Sequence, residues 1–82
     1  SVECVALSPS QTLAAFGTES GRVRVFGVPG GEMLGDLPNA HAVAVTALVF
    51  VSDRLLATGS RDGTIRLWTW NEGRLTEVFH FR

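Results

Sequence analysis

The sequence predicts an all-β fold made of two copies of one four-stranded antiparallel unit, and three observations carry that expectation. Short apolar runs alternate with Gly- and Asp-containing turns, no segment sustains a 3.6-residue period, and the chain repeats itself. Leu13–Phe26, Leu-Ala-Ala-Phe-Gly-Thr-Glu-Ser-Gly-Arg-Val-Arg-Val-Phe, falls on Leu55–Trp68 when 42 is added to each number. Self-similarity at a period a little over forty residues marks supersecondary units that bury their faces by stacking on one another.

The elements follow in order. Val2, Val5 and Leu7 open a first strand with Cys4 and Ala6 on its other face, and two apolar faces imply cover on both sides. Ser8-Pro9-Ser10 turns the chain into a second strand, Thr12–Thr18. Glu19-Ser20-Gly21 is a hairpin, Arg22–Val28 the third strand and Pro29-Gly30-Gly31 a turn. Glu32–Leu37 is shorter and more polar, which suits an outer edge. After a connector, Pro38–Ala44, the cycle restarts: Val45–Val51, a turn at Ser52-Asp53-Arg54, Leu55–Ser60, Thr64–Trp70, a turn at Asn71-Glu72-Gly73, and Arg74–Phe81. Val2/Val45, Val5/Leu48 and Leu7/Phe50 are 43 apart and later pairs 42, so the first copy carries one extra residue in its first turn. Asp62-Gly63 supplies the positive-φ backbone of a tight two-residue connection between the sixth and seventh strands.

Thr58-Gly-Ser-Arg-Asp-Gly-Thr-Ile-Arg-Leu-Trp68 resembles the Gly-Ser-x-Asp-Gly-x-Val-x-Leu-Trp stretch of the WD-repeat β-propeller family. The resemblance implies two blades, a degenerate one over residues 1–40 and a well-matched one over 41–82, together part of one propeller domain. Departures from the family pattern are Thr69 in place of the Asp after Trp68, and Ala40 in place of the Gly before the His. Arg82 lies under Ala40 and Ser1 under Ala44. Three more residues, roughly 10 Å of extended chain, would complete the repeat, and the expected join is a loop between blades.

Composition limits the function classes. Net charge is −1, which gives no electrostatic case for nucleic acid or an anionic membrane, and no apolar run is long enough for a spanning helix. No signal peptide is visible. The single Cys4 excludes an internal disulfide framework and fits a reducing, cytoplasmic setting as a buried, inert thiol.

Two blades leave two apolar flanks, expected to carry side chains such as Val5, Leu7, Phe16, Val23 and Val25 or Phe50, Leu55, Ile65 and Leu67. At ~25 cal/mol per Å² such exposure would cost many kcal/mol, against a domain stability of only ~5–15 kcal/mol. The expectation is therefore completion by further blades. They come from copies of the chain, as a head-to-tail ring of three (six blades) or four (eight blades), or from the remainder of a longer parent chain.

In this family a His between blades, an Asp in the hairpin turn, a hydroxyl residue and the Trp indole form a buried hydrogen-bonded chain. The resemblance assigns those places to His41, Asp62, Thr58 and Trp68, with Ser60 as the alternative hydroxyl. The first copy has Phe16, Ser20 and Phe26 where the second has Thr58, Asp62 and Trp68, so packing alone should hold it. Partner-binding rim positions, carried over in the same way, are Glu19, Arg61, Ala42 and Ala44. His41 and His80 with no Cys pair make no metal ligand set, and no cofactor motif is present: Gly17–Gly21 lacks the Gly-Lys-Ser/Thr ending of a phosphate loop. The implied function is a non-catalytic scaffold, with a protein or peptide on its top face and neither nucleic acid nor membrane as partner. A hydrolase relay on His41 and Asp62 and a sugar-binding platform compete with it. The second lacks tyrosine and aromatic-rich loops.

Overall fold

The computed structural model describes residues 1–82 and contains eight strands and no helix. They are β1 (Val2–Leu7), β2 (Leu13–Thr18), β3 (Val23–Gly27), β4 (Met33–Leu37), β5 (Val45–Ser52), β6 (Leu55–Ser60), β7 (Ile65–Asn71) and β8 (Arg74–Phe81). Each set of four forms an antiparallel sheet in sequence order, β1-β2-β3-β4 and β5-β6-β7-β8. Hairpin connectivity follows from the short turns, since antiparallel neighbours need only a few residues between them. The same irregularity recurs near the start of both first strands, between Val2 and Cys4 and between Val45 and Ala47. It is what puts Val2 on the face of Val5 and Leu7 although their spacing breaks strict alternation.

The sheets stack through one seam. β5 lies against β1 and β2, and β8 meets β4. The seam buries Leu13, Ala15, Val23 and Val25 from the first sheet against Val45, Phe50, Leu56 and Trp68 from the second. Cross-strand rows make the geometry explicit. Cys4–Gly17–Val23–Leu37 and Ala6–Ala15–Val25–Gly35 run across the inner face of the first sheet. Leu48–Thr58–Arg66–His80 and Phe50–Leu56–Trp68–Glu77 run across the facing side of the second. Polar ties flank the apolar seam: the Ser10 N–H donates to Asp53 Oδ1 at 2.9 Å and the His41 N–H to the Gly21 carbonyl at 3.1 Å.

This arrangement corrects the expected flanks. Val23, Val25 and Phe50 are buried in the seam, so they belong to neither open face. The open face of the first sheet carries Val5 and Leu7, 58% and 56% exposed, with Phe16 and Phe26 packed edge to face at 5.4 Å. The open face of the second carries two rows, Ala47–Gly59–Ile65–Phe81 and Val49–Ala57–Leu67–Phe79.

A second correction concerns a turn. Gly63 N–H donates to the Ser60 carbonyl and Ser60 N–H to the Thr64 carbonyl, so the β6–β7 loop is three residues, Arg61-Asp62-Gly63, and only Gly63 has positive φ (85°). Thr18, Gly21 and Arg22 repeat that pattern in the first sheet. The two-residue connection with positive φ at both centres occurs instead at Glu72 (50°) and Gly73 (80°), between β7 and β8.

Candidate functional site

The best-defined polar group sits at the top of the second sheet, where the loop carrying His41 crosses the β6–β7 hairpin. Thr58 on β6 and Trp68 on β7 lie on the face turned to the first sheet, and the hairpin returns Asp62 over them. Thr58 Oγ1 accepts the Trp68 indole N–H at 3.0 Å and donates to His41 Nε2 at 2.7 Å. His41 Nδ1–H then faces Asp62 Oδ2 at 3.3 Å and Thr64 Oγ1 at 3.0 Å. This tautomer, assigned from the network, leaves every donor with an acceptor, as buried polar groups require.

Asp62 is the hub. Its Oδ1 accepts both the N–H (2.9 Å) and the hydroxyl of Thr64, and its Oδ2 faces the Ala42 N–H at 3.4 Å. The Thr64 hydroxyl is the largest influence holding the Asp62 carboxyl well below the usual carboxylate range; burial opposes it, and the Thr64 N–H, His41 and the Ala42 N–H add to it. His41 has no exposed side-chain surface, so the imidazole reaches neither solvent nor any site where a substrate could stand. The group ties the inter-blade loop to the hairpin, and the loop to the sheet beneath.

Thr58 occupies the hydroxyl position that the sequence left open between Thr58 and Ser60. Ser60 instead donates to the Ala44 carbonyl at 2.7 Å and accepts the Asp62 N–H at 3.2 Å. Thr64 was missed. Its signal was the hydroxyl residue two positions after Asp62, where an Asx turn brings both N–H and O–H to the carboxylate.

The rim positions divide. Glu19 and Arg61 stand exposed at the tips of the two hairpins, with equivalent backbone ties, Glu19 N–H to the Ser1 carbonyl (3.1 Å) and Arg61 N–H to the Ala44 carbonyl (3.2 Å). Ala42 is exposed beside Val43. Ala44 is buried, because its strand entrance is clamped by Ser60 and Arg61, so it offers a partner no side chain. His80 is exposed on the edge strand with Nδ1 3.4 Å from Glu77, two strands across the sheet from Thr58 and outside the hydrogen-bonded group of His41. Cys4 lies in the seam, where its thiol meets the Val45 carbonyl at 3.4 Å and burial pushes its pKa up, as suits an inert thiol.

Two sheets of four strands, stacked face to face with open apolar faces on either side, define a pair of β-propeller blades. A family model described as the DDB1- and CUL4-associated factor 12 beta propeller matches residues 1–81. The chain is similar to telomerase protein component 1 of Mus musculus, 32% identical over 80 residues that cover 96% of this chain and 3% of that protein. Periodic tryptophan protein 2 of Arabidopsis thaliana is 40% identical over 68 residues, 82% of this chain and 7% of that protein. WD repeat-containing protein 55 of Danio rerio is 28% identical over 51 residues, 62% of this chain and 13% of that protein. With the hydrogen-bonded group in place on the second blade, the chain belongs to the WD-repeat β-propeller family.

Proposed function

We propose that these residues work as two adjoining blades of a non-catalytic scaffold, a closed propeller whose remaining blades cover both open faces and whose top rim receives a protein or peptide. One observation carries the reading: the open faces repeat, row for row, the two sides of the covered seam. Ala47–Gly59–Ile65 on the second blade corresponds to Cys4–Gly17–Val23 on the first, and Val5–Phe16–Arg24 and Leu7–Ala14–Phe26 correspond to Leu48–Thr58–Arg66 and Phe50–Leu56–Trp68. A surface that is the counterpart of an interface is suited to the same kind of neighbour. The remaining blades come from further copies, giving the ring of three or four chains, or from a longer polypeptide. The small share of each relative that the chain covers favours the longer polypeptide as the setting in those proteins.

The rim of this pair is Glu19, Arg61 and Ala42, with Val43 beside them. Arg61 is the strongest anchor, since a guanidinium combines charge, planar hydrogen bonding and contact area. The closed imidazole of His41 speaks for a structural role of the polar group over a hydrolytic one. The test is thiol labelling in the protein as it naturally occurs, comparing Val5→Cys and Ile65→Cys on the open faces with Glu19→Cys on the rim. Covered faces label at least tenfold more slowly than the rim. Equal rates at all three positions would refute the closed propeller.

A further inference from the structure

We propose that the cleft between the two blades, at the end of the strands remote from His41, binds an arginine side chain of a partner peptide. Both walls of the cleft belong to this chain, so the site is independent of the rim and of whatever covers the outer faces.

Antiparallel connectivity puts the β1–β2, β5–β6 and β7–β8 turns at one end of the sheets, and the β6–β7 hairpin with its polar group at the other. At the first end the seam opens into a cleft of about 350 Å³. Ser10, Thr12 and the buried Leu13 line it from the first blade, and Asp53, Trp70 and Glu72 from the second. Its shape is fixed in advance, which lowers the ordering cost of binding. The Ser10 N–H donates to Asp53 Oδ1 at 2.9 Å and pins one blade to the other. The Trp70 N–H donates to the Arg54 carbonyl at 2.9 Å, and Trp70 Cζ3 lies 2.7 Å from where a Cβ on Gly35 would stand. The indole is thus wedged against the glycine of β4 while it walls the cleft.

The charges here are not spent on one another. Arg54 also lines the cleft, yet Asp53, Arg54 and Glu72 join no ion pair within the chain, and Asp53 Oδ2 is left over from the bond to Ser10. Two carboxylates and an indole against one guanidinium favour a cation. An arginine suits them best, because its plane stacks on an aromatic ring and its fork meets a carboxylate with two hydrogen bonds. Arg54 and the neighbouring Asn71 then offer donors to the carbonyls flanking that arginine, which a free amine would not use. Backbone geometry points to the same place. Gln11 and Glu72 are the two non-glycine residues with positive φ, 63° and 50°, and both sit in turns that border this cleft. Non-glycine residues held in that region cluster at ligand-binding sites.

The experiment is saturation-transfer NMR on the protein as it naturally occurs, titrated with the terminally blocked peptide Gly-Ala-Arg-Ala-Gly, the same peptide with Gln or Glu in place of Arg, and free arginine. The expected result is transfer to the arginine side-chain protons and a dissociation constant about tenfold lower than for the other three ligands. Asp53→Asn with Glu72→Gln keeps an acceptor for the Ser10 N–H but removes both charges, and should weaken the arginine peptide about tenfold. Glu32→Gln, which removes an exposed carboxylate outside the cleft, should leave binding unchanged. If the double variant does not fold, Glu72→Gln alone, on an exposed turn, decides the matter. Equal binding of the Gln peptide, preference for the Glu peptide, binding indifferent to the loss of the carboxylates, or no transfer to any peptide would overturn the proposal. Free arginine binding as tightly as the peptide would overturn it too, by making the cleft a small-molecule site.

Discussion

The two blades share strand order, the register of their second and third strands and the hairpin between those strands, but hold their upper halves together by different means. In the second blade Trp68, Thr58, His41, Asp62 and Thr64 form a continuous hydrogen-bonded chain. At the same places in the first blade, Phe16 and Phe26 meet edge to face, and Ser20 stands where Asp62 does, bonded only to Thr18 at 3.0 Å. The lesson is that the blade fold requires the strand pattern and the left-handed glycine of the hairpin, while the polar group is one of two ways to fix the face above it. The polar way anchors the incoming loop as well as the sheet. The aromatic way joins β2 to β3 through the Phe16–Phe26 contact.

Single substitutions sharpen that contrast, measured by urea unfolding of the assembled protein followed through tryptophan fluorescence. The largest effect is expected at Gly21, whose hairpin backs directly on the His41 loop with φ of 91°. Gly21→Ala should cost roughly 2–5 kcal/mol, a left-handed backbone penalty of about 1–2 kcal/mol plus overpacking of about 1–3. Gly63→Ala, in open space in the single chain, should cost only about 1–2 kcal/mol there and approach the Gly21 value once a neighbouring blade covers it.

Next comes His41→Ala, which strips partners from Thr58 and Asp62 and should cost roughly 2–3 kcal/mol. Phe16→Thr alone installs the hydroxyl of the second blade without its partners, and should destabilise the first blade instead of converting it.

The pH dependence is smaller and has a fixed sign. Because the Asp62 carboxyl is held below its ordinary value, its contribution is complete above an unfolded-state pKa of about 3.9 and is lost as the pH falls below it. Asp62→Asn should therefore flatten the stability profile between pH 5 and the acid limit, and unchanged acid sensitivity would contradict the network. The smallest effect is expected at Glu77, where Arg66 Nη1 donates to both carboxylate oxygens at 3.1 and 3.0 Å near the surface. Glu77→Gln should cost no more than about 1 kcal/mol, and less in high salt.

Much of this was legible in the chain. Eight strands, the repeat, the extra residue in the first turn and the four members of the polar group follow from spacing and from the family resemblance. What sequence could not decide was which of two apolar faces turns toward the sister blade. Alternation tells which residues share a face, but Val25 and Val5 are equally apolar, so polarity cannot break the tie, and Val23, Val25 and Phe50 were placed on the wrong side. Asp62-Gly63 was ambiguous for a related reason: a left-handed glycine serves both a two-residue turn and a three-residue loop, and the deciding bond, Ser60 to Thr64, lies outside the dipeptide. Ala44 was misjudged because its neighbours close over it from the hairpin, a contact between segments that local pattern does not carry.

An experimental structure of the assembled protein tests the account most directly at one place, the surface beside Gly59. The account predicts an aliphatic side chain from a neighbouring blade seated there as Val45 is seated on Gly17, with Val5 and Leu7 covered in turn on the opposite flank. Water over Gly59 and Ile65 in the intact assembly would contradict it.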